Sequence, residues 1–261
     1  PILYYAIEAL AGAGVRDVGI VVGDTHAEIE AAAGDGSRFG IRATYIRQHE
    51  PLGLAHAVLT AQDFLGSDRF VMYLGDNLIK GGIAGVTQEF LASDAHAQIL
   101  LAHVPNPGDF GVAELAPGDG PNRAIVSLEE KPSSPRSDLA LVGVYFFGPE
   151  IFRAAKAIKP SARGELEITD AITQLVASGA KVVSHIITGW WKDTGKLEDL
   201  LEANRILLDD MEPSVRGELD AESKTEGKVS IGGGTRIIRS LLRGPCIIGD
   251  NCTIEDSYVG P

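Results

Sequence analysis

The chain has 261 residues, 44% hydrophobic and 23% charged, with 23 basic against 36 acidic side chains and a formal net charge of −13. No apolar run approaches the length of a membrane span, and so acidic a protein repels nucleic acid and anionic lipid, which excludes both as general partners. Two cysteines, Cys246 and Cys252, are too few for a disulfide scaffold and lack the company of a zinc site, which points to a reducing, cytoplasmic setting. No signal peptide is visible, and because the chain opens on Pro1 its native start is expected upstream.

In chain order, Ile2 to Gly14 predicts a helix, since Ile2, Tyr5, Ala6, Ala9 and Leu10 share a face and a glycine closes it. Val18 to Val22 reads as a short buried strand. Thr25-His26-Ala27-Glu28 has the form of a capping box, opening a helix that runs to Gly34. Arg42 to Arg47 predicts a strand, Leu54 to Leu65 a helix and Phe70 to Leu74 a strand. This β-α-β order with nearly continuous apolar strands argues an α/β fold: a doubly wound, mostly parallel, Rossmann-like sheet covered on both faces.

Further along, Ala97 to Val104, Gly111 to Leu115, Ala124 to Leu128 and Leu139 to Phe147 are predicted strands between Pro- and Gly-rich turns. Helices follow at Pro149 to Ala157 and Thr169 to Ser178, then a strand at Lys181 to Ile187. Leu197 to Met211 is amphipathic, with Leu197, Leu200, Leu201, Leu207, Leu208 and Met211 expected on its buried side. Residues 1–211 are thus expected to form one domain and the polar stretch 212–228 a linker. From Val229 the periodicity becomes six: Val229, Thr235, Leu241, Ile247, Thr253 and Val259 are β-branched or leucine, with Gly-rich corners between. Such hexads stack as a parallel β-helix, with these first positions pointing inward. The repeat, 229–261, is expected to continue past Pro261 and to dock on the first domain or on a second copy, giving a homo-oligomer.

Candidate chemistry begins at Asp76, which ends the Phe70–Leu74 run beside Gly75, where a ligand can come close. Asp193, about 117 positions later, stands in similar company between Trp191 and Gly195. Each is a turn former taken singly; as a pair they suggest a Mg²⁺ site, because that ion takes one or two protein carboxylates and fills its other positions with water and phosphate oxygens. Leu128-Glu129-Glu130-Lys131-Pro132 is either a solvated turn or a sugar-phosphate grip, Glu accepting from hydroxyls and Lys serving as a point charge. Acidic residues at a helix start account for Glu165, Glu167 and Asp170 without function, but not for Arg163. Gln48 could read a base edge through its amide while Gly53 admits the ring. No nucleophilic triad and no metal-ligand spacing of histidines is present.

Gln48 to Ala55, Leu74 to Asn77, Phe110-Gly111-Val112, Leu128 to Pro132, Ser161 to Ala171 and Trp191 to Gly195 together resemble the sugar-1-phosphate nucleotidyltransferases. The resemblance is closest to the glucose-1-phosphate thymidylyltransferase branch, in its long form with a carboxyl-terminal left-handed β-helix. It implies dTTP and glucose 1-phosphate as substrates and dTDP-glucose and pyrophosphate as products. It further implies Mg²⁺ on Asp76 and Asp193, thymine against Gln48, Gly53 and Leu54, and glucose against Gly111, Glu130 and Leu141 with Tyr145 nearby. Lys131 and Arg163 would meet the sugar phosphate, with Glu165 orienting Arg163 or a hydroxyl. Phe110 departs from the tyrosine of short-form enzymes. The family's Gly-rich phosphate loop and its Lys segment fall before Pro1, so this stretch is expected to be inactive without them. Two alternatives remain open on the sequence: a uridylyltransferase on a hexose 1-phosphate, and a non-catalytic sugar-nucleotide sensor or assembly subunit. A hexapeptide acyltransferase is disfavoured by the short β-helix and the lack of an evident catalytic histidine.

Overall fold

The structure is a computed structural model describing residues 1–118, 120 and 122–260, so Pro261 of the predicted repeat lies outside the described residues. It divides into two compact units, Pro1–Asp193 and Thr194–Pro261. Among the described residues no helix is long and apolar enough to cross a membrane.

The first unit begins α1 (Ile2–Gly12), β1 (Asp17–Val22), α2 (His26–Ala33), β2 (Arg42–Arg47), α3 (Leu54–Thr60), α4 (Gln62–Leu65) and β3 (Phe70–Tyr73). It continues with β4 (Asn77–Ile79), α5 (Ala84–Ala92), β5 (Ala97–His103), β6 (Gly111–Leu115), β7 (Ile125–Glu130) and β8 (Leu139–Phe147). The last elements are α6 (Glu150–Ala157), α7 (Ile168–Ala177), β9 (Val182–Ile186) and β10 (Trp191–Asp193). Thr25 does cap α2 by position, but its side chain makes no capping hydrogen bond, so the predicted capping box does not form.

The fold is the expected Rossmann-like α/β type, with a sheet that is mixed rather than mostly parallel. β1 and β2 run parallel in a two-stranded sheet of their own, and in the six-stranded sheet β7-β6-β8-β5-β9, with β3 on β8, only β5 and β9 are parallel among the described residues. The nine-residue β8 is wholly buried and antiparallel to β3, β5 and β6. Continuous apolar strands signal burial on both faces and do not distinguish strand direction. Alternation along β8 divides the core: Leu139, Leu141, Tyr145 and Phe147 pack beneath α3, α6 and α7, while Val142, Val144 and Phe146 pack with α1 and α5. Each fully buried large apolar side chain contributes about 1.5–3 kcal/mol. Opposite Leu100, β8 carries extra residues: Ile99 faces Tyr145 but Leu101 faces Leu141. This bulge contains Gly143.

The second unit carries α8 (Leu197–Asp210) and nine short strands, β11 (Ser214–Val215), β12 (Glu218–Leu219), β13 (Lys224–Glu226), β14 (Val229–Ile231), β15 (Arg236–Ile238), β16 (Leu241–Arg243), β17 (Cys246–Ile248), β18 (Thr253–Glu255) and β19 (Tyr258–Val259). They form three parallel faces, β11-β14-β17, β12-β15-β18 and β13-β16-β19, the short parallel β-helix expected. The 212–228 stretch, expected as a linker, supplies its first turn of strands. Val229 pairs with Cys246, Arg236 with Thr253 and Leu241 with Tyr258, each 17 residues on, one short of three hexads. Because side chains alternate along a strand, that single residue turns the expected inward positions Ile247 and Thr253 outward, while Val259 packs inward as expected. Ile247 is 63% exposed and Thr253 is exposed, while Cys246, Ile248 and Ile254 pack on the cluster of Val229, Ile231, Ile237 and Leu242 instead; in the first coil Leu242 rather than Leu241 is buried. Both cysteines are free thiols. On α8 the buried residue is Ala203, while Leu197 and Leu201 are exposed, contrary to the predicted face.

Candidate active site

One pocket of about 230 Å³ opens in the first unit where the ends of β4, β6, β7, β8 and β10 meet the approach to α7. Of the residues singled out in the sequence, Leu54, Gly111, Glu130, Lys131, Leu141, Tyr145, Arg163, Glu165 and Asp193 line it; Gln48, Gly53 and Asp76 do not. Its floor is one face of β8, where Leu141, Gly143 and Tyr145 follow at alternate positions. Tyr145 is buried, and that burial, with the charges of Glu130, Asp76 and Asp193, pushes its phenol well above the usual range. A neutral hydroxyl therefore stands among three carboxylates.

The strand pair β4–β10 brings Asp76 and Asp193, far apart in the chain, to the same end of two neighbouring strands. Their antiparallel register sets Asn77 directly opposite Asp193, so Asp76 sits at the same strand end. Asn77, only 2% exposed, donates from Nδ2 to Asp76 Oδ1 at 2.8 Å and accepts at Oδ1 from the Trp191 indole N–H at 2.7 Å. Gly143 leaves room for that amide: its φ is +72°, and a Cβ there would lie 2.8 Å from Asn77 Nδ2. Asp76 is thus held by a buried amide that is itself held by an indole. Among the described residues no cluster of three or more His, Cys, Asp and Glu forms a metal centre. Two hard carboxylates without nitrogen or sulfur ligands fit an ion that draws its other ligands from water and phosphate.

Glu130 ends β7 opposite Gly111 of β6, and its Oε2 accepts from Thr169 Oγ1 at 3.2 Å. A Cβ at Gly111 would lie 2.8 Å from Thr169 Cγ2 and 3.1 Å from Glu130 Oε2, so glycine keeps this wall open. Burial, followed by the nearby Glu167 charge, raises the Glu130 carboxyl above its ordinary value. The next residue, Lys131, leaves the strand with φ +43° and bonds through its N–H to the Phe110 carbonyl at 3.0 Å. Phe110 packs its ring edge-on against Trp191, centroids 5.3 Å apart, as an apolar side wall.

Arg163 stands in a tight turn closed by Gly164 N–H to Ser161 O at 2.9 Å. Its Nε and Nη2 bond Glu167, the Nη2 contacts being 2.9 and 2.8 Å to the two carboxylate oxygens. Glu130 and Glu165 approach the same Nη2 less closely, at 3.5 and 3.7 Å. The bonds to Glu167 raise the guanidinium's already high pKa further, so it is cationic at any working pH.

Gln48 turns away from the pocket, donating to Gly53 O at 3.3 Å and meeting His56 Nδ1 at 2.8 Å. Gly53, with φ +101°, lies against backbone: a Cβ would come 2.6 Å from Leu166 O. Hydrogen bonds from Leu166 N to Leu52 O and from Ala55 N to Leu166 O stitch this loop to the approach of α7. Glycine is required there for two backbones to meet, and that contact puts Leu54 in the pocket wall.

Residues 1–210 match the nucleotidyl transferase family. The chain belongs to that family. It is 53% identical, over its whole length and 72% of the relative's, to the glucose-1-phosphate thymidylyltransferase of Streptomyces antibioticus. It is 45% identical, over 88% of this chain and 64% of the relative, to a low-salt glycan biosynthesis nucleotidyltransferase of Haloferax volcanii. Among solved structures, a Bacillus anthracis protein described as a glucose-1-phosphate thymidylyltransferase, crystallised with sucrose, superposes with a TM-score of 0.73 at 35% identity, covering 82% of this chain and 85% of that one.

In this nucleotidyl transferase, sequence reasoning passed over Asn77, Gly143, Trp191 and Glu167. Glu167 was explicable as a helix-start acid; what marks it in space is its burial, at 6% exposure. The Asn77–Asp76 and Asn77–Trp191 contacts needed the β4–β10 register, which no local pattern specifies.

Proposed function

We propose that the chain joins dTTP and glucose 1-phosphate to give dTDP-glucose and pyrophosphate. The observation that carries this is the pocket lined by a hydroxyl-accepting Glu130, the cations Lys131 and Arg163, and Asp193, with Asp76 at the same end of the β4–β10 pair. The identity to the Streptomyces thymidylyltransferase supports the choice of substrates.

In this proposal the sugar-phosphate oxygen attacks the α-phosphorus in line while pyrophosphate leaves on the far side. Two anions must be brought together, so the residues work by positioning and charge neutralisation rather than by proton transfer. Glu130 accepts hydrogen bonds from glucose hydroxyls, with Gly111 and Leu141 giving the ring its space and Tyr145 beneath it. Lys131 and Arg163 offset the sugar phosphate's charge. Leu54, presented by the Gly53 turn, packs on the thymine, while Gln48, bonded to Gly53 O and His56, stands outside the pocket and supports that turn. Asp76 and Asp193 are the residues to hold Mg²⁺, which when bound neutralises the α-phosphate and makes its phosphorus more electrophilic. The proposed setting is the cytoplasm.

The test is pyrophosphate release by the full-length protein with glucose 1-phosphate and either dTTP or UTP. Faster turnover with dTTP is expected. A preference for UTP would move the assignment to a uridylyltransferase, and no sugar nucleotide from either would refute the transferase role.

A further inference from the structure

We infer that Glu167 is the positioning residue for Arg163, fixing which edge of the guanidinium is offered to the sugar phosphate. This rests on the proposal above that Arg163 meets that phosphate. Glu167 occupies the N-cap position of α7, yet its side chain makes no capping hydrogen bond. Its carboxylate goes to Arg163 instead, accepting from Nε at 3.2 Å and from Nη2 at 2.9 and 2.8 Å. Ser161 Oγ donates to the same carboxylate at 2.7 Å, on the Oε1 that Nε also contacts.

A guanidinium is a rigid fork, and two carboxylate oxygens on one of its edges set the plane of the whole group. Nη1 makes no hydrogen bond or ion pair among the described residues, so it is the donor left for a ligand. Arg163 itself is poorly held by packing: its side chain is 43% exposed and it stands in a turn. Of the three carboxylates around it, Glu167 is the one able to serve as a fixed anchor. Its side chain is 7% exposed, against 24% for Glu130 and 39% for Glu165. Those two lie beyond hydrogen-bond distance of Nη2, and Glu130 already accepts from Thr169. The sequence expectation that Glu165 orients Arg163 is therefore replaced by Glu167 in this proposal, which leaves Glu165 free to face substrate.

The experiment is a double-mutant cycle on the full-length protein. Glucose 1-phosphate binding is measured by titration calorimetry for wild type, Glu167→Gln, Arg163→Ala and the double variant, alongside the KM for each substrate. Glu167→Gln should weaken glucose 1-phosphate binding about tenfold and raise its KM to match, leaving the KM for dTTP within about twofold. In the Arg163→Ala background it should add less than about twofold, because the effect runs through the arginine. Glu167→Asp, which keeps the charge, should recover part of the loss. Equal losses in both backgrounds would overturn the proposal, as would an Arg163→Ala variant that binds glucose 1-phosphate normally. If Glu167→Gln does not fold by circular dichroism, Ser161→Ala serves in its place, with a loss of about two- to threefold and the same dependence on Arg163. Coupled losses in binding by a protein that makes no dTDP-glucose would refute the thymidylyl transfer and leave the positioning role standing.

Discussion

Replacing Gly143 by alanine tests whether the Trp191–Asn77–Asp76 chain organises the carboxylate end of the site. Two penalties combine. Alanine in the left-handed region that Gly143 occupies, φ +72°, costs about 1–2 kcal/mol. The new methyl would lie 2.8 to 3.1 Å from three atoms of the Asn77 amide, which must move. Moving it breaks its bonds to Asp76 and Trp191, and stranding a buried polar group costs about 1–3 kcal/mol. The sum, about 2–5 kcal/mol, corresponds to a fall in melting temperature on the order of 10 °C for a unit of this size. Gly12→Ala is the control. It lies in α1, and a Cβ there meets nothing within 4 Å, so it should be neutral or stabilising by up to about 1 kcal/mol.

Thermal and urea unfolding of the full-length protein read the stability, and turnover at saturating substrates reads the site. Asn77→Ala supplies the decisive comparison, because removing the amide makes room for the methyl. The Gly143→Ala/Asn77→Ala double variant should therefore be more stable than the sum of the single losses allows, by about 1 kcal/mol or more. Strict additivity would mean that Gly143 is needed only for its own backbone, and the reasoning about Asn77 would be wrong. Turnover should fall in both single variants by about tenfold, equivalent to about 1.4 kcal/mol, because each releases Asp76 from its donor.

Three further outcomes follow from the geometry. Asp76→Asn and Asp193→Asn should each cut turnover at fixed Mg²⁺ by more than about 100-fold while leaving the unfolding transition nearly unchanged; full activity in either variant would remove that residue from the metal site. Burial makes Glu130 hold its proton to a higher pH than an ordinary glutamate at 4.5, so on acidification its carboxylate is lost early. The KM for glucose 1-phosphate should accordingly rise as pH falls, with a midpoint above 4.5, and that limb should be missing from Glu130→Gln; the substrate's own ionisation, common to both proteins, cancels in their ratio. In the β-helix, Leu242→Ala should destabilise the unit by about 2–5 kcal/mol and Ile247→Ala by less than about 0.5, measured by urea unfolding; the reverse order would restore the hexad register.

The order of most elements and the pocket residues Glu130, Lys131, Arg163, Glu165 and Asp193 were legible in the sequence because strands announce themselves by apolar runs and site residues by charge set against turns and glycine. Register was not legible, and three differences between expectation and structure trace to it. Strand direction in the sheet, the meeting of Asn77 with Trp191 and the inward face of the second coil all depend on which residue stands opposite which. Burial on both faces leaves that choice to long-range packing. The coil length could nevertheless have been read. Ser223, Ser240 and Ser257 recur at 17-residue spacing, and each hydroxyl of the first two accepts the backbone N–H of the next, at 3.1 and 3.0 Å. Gly227 and Gly244 keep the same interval. Small corner residues mark the length of a coil more faithfully than apolar ones, because a corner tolerates few side chains while a core position accepts any branched one. A hexad count weighs only the apolar positions, and so it slipped by one residue where the corners did not.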